Sequence, residues 1–477
     1  MASIRTDSII AFDQGTHASR AALWDLRGQL MYAAHRPVKL HRREDGRVEQ
    51  DAEELLTSLR DALAEVRAWA EAHDNPIRAA GLATQRSTVV AWDRSTGNPL
   101  APAVSWQDTR GADVTAALLD HETEIRNRSG LRLSPHYGAS KIAWLLKHEQ
   151  KVQDAYKANS LVVGPLVSFL LRHLLEEAPC LTDEVNAGRT QLWNLNSRDW
   201  DPTLCDWFGI PPAVLPEGRP VESLYGHLAG SAIPVRAVNG DQNSAYFGWG
   251  MPPASMAVVN VGTGAFALTN LGPADPAADP ALLTSVARGG STGCTYLLEG
   301  TVNGAGAALD WFAATEKSRA EQPALHPWPA CADPPIFLNS IGGLGSPWWS
   351  QAVAPVFIPD AAGATCRLAA VAESIVFLLQ ANLDRLQEVG GTLGSLRISG
   401  GLAQADGICQ QLANLSGLPV ERPEEVEATA RGIAWLAAGG PADWAEAAAT
   451  RFQPQADASL QRRYTQFMTE LSQRLAR

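Results

Sequence analysis

The 477-residue chain has no long Lys/Arg run, and its 39 basic residues are outnumbered by 51 acidic ones, for a formal net charge of -12. Nucleic acids and anionic membranes are held by basic patches. Neither partner is expected here. Cysteine is sparse: Cys180, Cys205, Cys294, Cys331, Cys366 and Cys409 are scattered, and neither a Cys-x-x-Cys pair nor a His-Glu-x-x-His segment occurs. That spacing predicts neither structural zinc nor a disulfide framework, and a reducing compartment is the simplest setting. Long apolar runs are missing as well. The most membrane-like stretch, residues 161–175, is too short to span and is broken by Gly164, Pro165, Arg172 and His173. It is expected to be a buried core segment. At the start, Asp7 and Asp13 interrupt any signal-like stretch, and a cytoplasmic location is the expectation.

What remains is an ordinary globular balance, 45% apolar and 19% charged. The length exceeds one core and predicts two domains. Residues 8–12 form an apolar run, a polar turn with Gly15 follows, and residues 21–24 are apolar again, which reads as a β-hairpin. Leu55, Leu59, Leu63, Val66 and Trp69 recur at helical spacing between residues 51 and 72. Strands are expected at 79–84 and 89–92, and a mostly helical middle includes 161–175. A short strand at 235–238 leads into Asn239-Gly240-Asp241-Gln242. Residues 256–261 and 265–269 form a second hairpin candidate around Gly262-Thr263-Gly264.

The two hairpins match: Asp13-Gln14-Gly15-Thr16 falls opposite Asn260-Val261-Gly262-Thr263. Two related halves are therefore predicted, residues 1–247 and 248–477, meeting where Gly248, Gly250, Pro252 and Pro253 cluster. A third strand-to-turn junction runs from residues 396–399 into Gly400-Gly401 and then a helix. Residues 273–280 and 321–335, rich in Ala, Pro and Asp, read as surface insertions.

Several turns suit phosphate chemistry. Gly15 allows a close backbone approach, amide N–H groups and the Thr16 hydroxyl can face phosphate oxygens, Asp13 can hold magnesium through its water shell, and Arg20 adds charge. An ordinary polar hairpin fits that tetrapeptide as well. Gly262-Thr263-Gly264 alone is weaker still. Paired, the two turns would converge on one nucleotide, and Gly400-Gly401 reads either as a third contact or as a tight strand-to-helix turn. Asp241, after a strand, suits a general base for phosphoryl transfer to an alcohol; locally, capping the next helix explains it as well.

Across nearly the whole chain the sequence resembles the FGGY carbohydrate kinase family, and most its glycerol kinase branch. The matching segments include Ala11-Phe12-Asp13-Gln14-Gly15-Thr16, Thr84-Gln85-Arg86, Ser105-Trp106-Gln107-Asp108-Thr109-Arg110, Gly240-Asp241-Gln242, Leu298-Glu299-Gly300, Gly343-Leu344-Gly345-Ser346-Pro347-Trp348-Trp349 and Ser399-Gly400-Gly401. The resemblance implies two actin-like (ribonuclease H-like) α/β domains around a cleft. It implies ATP-Mg2+ there and transfer of the γ-phosphoryl group to a small polyol or sugar. By position Asp13 resembles the metal-associated aspartate, and Asp241 the catalytic base. Thr16, Arg20, Thr263, Gly306 and Gly401 resemble nucleotide contacts; Arg86, Trp106, Gln242 and Phe266 resemble the polyol-binding wall. Two wall positions depart from the glycerol kinase pattern: Ser87 replaces a glutamate and His136 a tyrosine, with Tyr137 next to it. Losing hydrogen-bond partners shifts discrimination by orders of magnitude, so the acceptor is expected to differ. A xylulokinase-like ketose kinase and a non-catalytic sugar-responsive binding protein are the competing readings. A homodimer would fit an exposed Trp-rich surface.

Overall fold

The computed structural model describes residues 7–273, 279–290, 293–316, 325–360, 362–424, 427–444 and 448–476. Two large sheets organise them. The first has six strands in the spatial order Glu222–His227, Pro234–Gly240, Ile77–Thr84, Ser8–Gln14, Ala18–Asp25 and Leu30–Pro37. Ser8–Gln14 is buried along its whole length, which explains its unbroken apolar run, since parallel central strands are covered on both faces. It pairs antiparallel with Ala18–Asp25, Asp13 opposite Arg20, and parallel with Ile77–Thr84. Pro234–Gly240 adds in parallel on the far side.

The second sheet has seven strands in the order Leu283–Gly290, Gly293–Val302, Ala265–Gly272, Met256–Val261, Ser395–Ser399, Val420–Pro423 and Ala449–Phe452. Met256–Val261 pairs antiparallel with Ala265–Gly272 and parallel with Ser395–Ser399, which pairs parallel with Val420–Pro423. Each sheet thus runs from antiparallel strands through two parallel neighbours to an antiparallel edge. The match between the two hairpins extends to six strands of each sheet, the second carrying Leu283–Gly290 as an additional edge strand.

Helices cover the faces. Ala52–Ala72 is capped by Asp51, which accepts from the Glu53 and Glu54 amides, and it buries Leu55, Leu59, Leu63 and Val66 as the spacing predicts. Residues 161–175 differ from expectation. They form a strand, Leu161–Pro165, and then a helix, Leu166–Leu174. The β-branched pair Val162-Val163 joins the strand Val89–Asp93, and Pro165 ends the ladder where the helix begins. Nor is this the most membrane-like segment: among the described residues that is Ala364–Gly390, long and apolar enough to cross a bilayer but largely buried. It is the central helix of the second core, where it packs Ile375, Leu379, Leu383 and Leu386. Even its Glu373 is neutralised internally, by Arg463 at 2.8 Å.

Two further expectations are corrected. Cys331 and Cys366 form a disulfide with Cα atoms 5.2 Å apart. The pairing joins a loop to the start of Ala364–Gly390, a tertiary proximity that sequence spacing does not encode. Residues 274–278 and 321–324 of the supposed insertions lie outside the described residues. The described part of the second is not a mere surface excursion, because Leu325 is buried in the second core.

The helix Ala428–Ala437 belongs to the late part of the chain, yet it packs Ile433 and Ala434 among Ile9, Ala11, Ala79 and Ala83 of the first sheet. It crosses the short helix Asp241–Tyr246 at Gly432, where any Cβ would overlap the Ser244 carbonyl backbone. Overpacking of this kind costs about 1–3 kcal/mol. Gly432→Ala is therefore expected to lower the urea midpoint by a corresponding amount; an unchanged midpoint would show that the crossing relaxes freely.

Candidate active site

Parallel strands bring their carboxyl ends to one edge, and ligands of open α/β sheets bind there. In the first sheet Gln14 is level with Thr84, and Thr84 with Gly240. Three successive exits therefore lie side by side: Gly15-Thr16, Gln85-Arg86-Ser87 and Asp241-Gln242. In the second sheet Asn260 is level with Ser399, which sets the turn after Val261 beside Gly400-Gly401.

A cavity of about 420 Å³ opens between these edges, lined by Asp13, Arg20, Asn260, Gly400, Gly401 and Arg422 among others. Asp13 accepts from Arg20 Nη1 at 3.0 Å, and Arg20 also faces Glu427 at 3.6 Å. The Asp13 carboxyl is pushed up to about 7, chiefly by burial; Arg20 opposes the shift, while Asp241 and Glu427 add to it. Gly400 has φ +97°, and a Cβ there would sit 2.5 Å from the Val261 carbonyl oxygen. Only glycine combines that conformation with that approach. Gly401 faces open space, and Asn260 Nδ2 donates to Ser399 Oγ at 3.1 Å.

The Thr16 hydroxyl is committed elsewhere. It donates to Gln85 Oε1 at 3.2 Å and accepts from the Trp106 indole at 2.9 Å. The Thr16 and His17 amides, by contrast, take no backbone acceptor among the described residues. The turn thus offers N–H groups more readily than its hydroxyl.

The other half of the cleft centres on Arg86, whose side chain is 7% exposed. It donates to Asn243 Oδ1 at 2.8 Å, to Gln242 Oε1 and to Glu299 Oε2 at 3.4 Å, and its Nε lies 3.6 Å from Asp241 Oδ1. Asp241 begins the helix Asp241–Tyr246 and accepts from the Gln242 amide at 2.8 Å. Burial pushes its carboxyl above the ordinary range against the pull of Arg86. About a third of its side chain still opens to the cleft (31% exposed). Ser87 is buried with φ +63°. His136 stands edge-on to Trp106 at 5.5 Å. Burial and the cations Lys141, Arg189 and Arg86 hold it well below the usual histidine range, so its imidazole is neutral. Tyr137 packs edge-on to His136 at 5.2 Å, and its hydroxyl turns to Arg189.

The second hairpin turn is less open to the cleft. Gly262 and Thr263 spend their carbonyls on the start of the helix Gly306–Thr315, Gly262 accepting from the Gly306 amide at 2.9 Å and Thr263 from the Ala307 amide at 3.0 Å. The Gly264 carbonyl accepts from the Gly262 amide at 2.8 Å. Thr263 itself is exposed. Phe266 is half-buried opposite Thr301, and the next pair on that sheet face is Leu268 opposite Glu299. Phe266 therefore shares a face with the carboxylate that reaches Arg86.

Sequence reasoning assigned no role to Arg189, Lys141 or Glu299, although Glu299 lies in a quoted segment. Glu299, from the second sheet, is 1% exposed and holds both Arg86 and Arg189 of the first half. The available signal was one of composition: a Lys at 141 inside a helix face otherwise fit for burial, and a glutamate inside an apolar strand.

Two sheets that share a six-strand order, with carboxyl ends facing a cleft where the first sheet presents two Asp–Arg pairs, Asp13–Arg20 and Asp241–Arg86, define a two-lobed actin-like fold. Family comparison is more specific. Residues 8–248 match the N-terminal domain of the FGGY family of carbohydrate kinases, and residues 257–440 its C-terminal domain. A glycerol kinase of Cereibacter sphaeroides is 35% identical over 485 residues, covering 95% of this chain and 96% of its own. A glycerol kinase of Rhodospirillum rubrum is 36% identical over 457 residues, covering 91% and 90%. Among solved structures, the Plasmodium falciparum glycerol kinase with ADP superimposes with TM-score 0.87 at 24% identity, covering 99% of this chain and 98% of that one. A xylulose kinase from Rhodospirillum rubrum gives TM-score 0.86 at 20% identity, covering 98% and 100%. The chain belongs to the FGGY family of carbohydrate kinases. It is an ATP-dependent kinase, and phosphorylation of a sugar or polyol is favoured over a non-catalytic binding role.

Proposed function

We propose that the chain phosphorylates a hydroxyl of a small polyol in the manner of the glycerol kinases it is similar to, through an acceptor pocket of altered selectivity. The juxtaposition of Arg86 and Asp241, 3.6 Å apart on adjacent strand ends and beside the strand that carries Asp13, carries this reading. Asp241 accepts the acceptor's hydroxyl proton as the oxygen attacks the γ-phosphorus. Arg86 and Gln242, bonded to one another, orient the acceptor. Trp106, His136 and Phe266 form the apolar wall, and Ser87 sits where the relatives' branch carries a carboxylate. The nucleotide lies against Gly15-Thr16 and Arg20 on one side and Gly262-Thr263-Gly264, Gly306 and Gly400-Gly401 on the other. For Gly306 the contact is indirect, because its amide is spent on Gly262.

Asp13 is the residue that would hold magnesium. Asp241 and Glu427 both raise the cost of charge on the buried Asp13 carboxylate, with Arg20 close by, and a divalent cation would offset that charge. When bound, the ion offsets phosphate charge. We place the division between lobes near residues 247 and 248, with the late helix Ala428–Ala437 lying on the first lobe.

A coupled ADP-release assay over polyols, ketoses and aldoses tests the proposal. Turnover of at least one polyol is expected. Turnover confined to ketoses would favour the xylulokinase-like reading, which the small, buried Ser87 also accommodates. No ADP above background with any acceptor would overturn both.

A further inference from the structure

Lys141 is fully buried, on the helix Gly138–His148. Among the described residues no carboxylate lies within ion-pair distance of its ammonium. Instead Nζ donates to three backbone carbonyls: Ser87 at 3.1 Å, Trp106 at 3.5 Å and His136. A buried ammonium is costly unless every proton is bonded, and here three protons meet three acceptors.

The carbonyls come from three separate segments. Each belongs to a residue whose side chain forms the acceptor wall. Ser87 has the further peculiarity of φ +63°, a left-handed conformation that L-residues with a side chain seldom hold unless their surroundings impose it. Lys141 is one of the groups that impose it. Burial and Arg110 draw the Lys141 amine down to about 7, against Asp108. The three carbonyls act with Asp108, because they bond best to the ammonium. His136, the remaining titratable neighbour, is neutral and adds no competing charge.

We propose that Lys141 is a positioning residue that determines acceptor specificity, by fixing the spacing of Ser87, Trp106 and His136 through their carbonyls. This rests on the kinase reading above. A wall held at three points admits acceptors of one length and shape. Release of the ammonium lets the three segments move independently, and selectivity falls with affinity. Among the described residues, Lys141 bonds to none of those placed against the nucleotide, and it reaches them only through Trp106, whose indole donates to Thr16.

The test uses the full chain, the two best acceptors from the panel, and the variants Lys141→Met and Lys141→Gln. Met removes all three donors. Gln retains an amide with two. Steady-state kinetics should show acceptor KM raised about tenfold or more in Lys141→Met, the preference between the two acceptors reduced, and ATP KM within about twofold of wild type. Lys141→Gln should fall between. The inference is overturned if acceptor KM in Lys141→Met stays within about twofold of wild type. It is also overturned if ATP and acceptor KM rise together, or if both variants unfold, since the role is then structural. Calorimetric acceptor binding keeps the two readings apart. An acceptor that binds wild type without turnover sinks the kinase reading, while its Kd in the variants still decides the role of Lys141.

Discussion

Asp241→Asn is expected to lower kcat on the chosen acceptor by on the order of 10² to 10⁴-fold, the usual yield of a positioned general base. ATP KM should stay near the wild-type value, because Asp241 lies on the acceptor side of the cleft, against Arg86 and Gln242. The amide preserves shape and can still accept the Gln242 amide bond; what it loses is basicity. A companion pH profile checks the same assignment in the unaltered enzyme. The carboxylate must be ionised to take a proton. Burial raises its pKa above the ordinary aspartate range, so kcat/KM should fall as pH drops through that raised value, earlier than for an exposed aspartate. An Asn variant with full turnover would show that the proton leaves by another route.

Glu299→Ala should have the largest effect on stability. The carboxylate is buried on the strand Gly293–Val302 and is shared by Arg86 and Arg189 of the first half. Removing one partner of a buried ion pair leaves uncompensated charge and costs about 3–5 kcal/mol; here two guanidiniums are stranded. Urea unfolding measures the loss, and a change of under 1 kcal/mol, about one salt bridge at the surface, would mean that the arginines are solvated or re-paired. The pH sign follows from the direction of the shift. Burial pushes the Glu299 pKa up, but Arg189 and Arg86 together bring it below that of an ordinary glutamate. Its contribution is therefore present above that value and is lost as pH falls through the depressed pKa of the folded state. The Ala variant should show a flatter acid limb. Acceptor KM should rise as well, because Arg86 loses one of the groups that hold it.

Both hairpins, the helix at 52–72 and the turns at Asp13, Asp241 and Gly400 were legible because their signals are local. A glycine in a tight turn, an alternation or a helical repeat is written within a dozen residues. The carboxyl-edge convergence of Gly15, Arg86 and Asp241 was legible only through the family resemblance, since register between strands 70 and 150 residues apart has no local trace. The same limit hid the Cys331–Cys366 bond and the hold of Lys141 on Ser87, Trp106 and His136. At 161–175 the apolar content was read correctly as core and wrongly as one helix. The β-branched pair before Gly164-Pro165 was the overlooked signal. Thr16 is a different case. Its hydroxyl was free to face phosphate in sequence, and in the fold Gln85 and Trp106 reach it first.

The helix Ala428–Ala437 ties the last quarter of the chain to the first sheet, where Ile433 packs over Gly81. A growing chain that has exposed only its first 250 residues to solvent therefore has Ile9, Ala11, Ala79 and Ala83 uncovered on one side. The lobe that is made first is finished last. During synthesis that bare strip is the surface on which a chaperone or a neighbouring nascent chain would act, and a truncation before residue 428 would leave it permanently open.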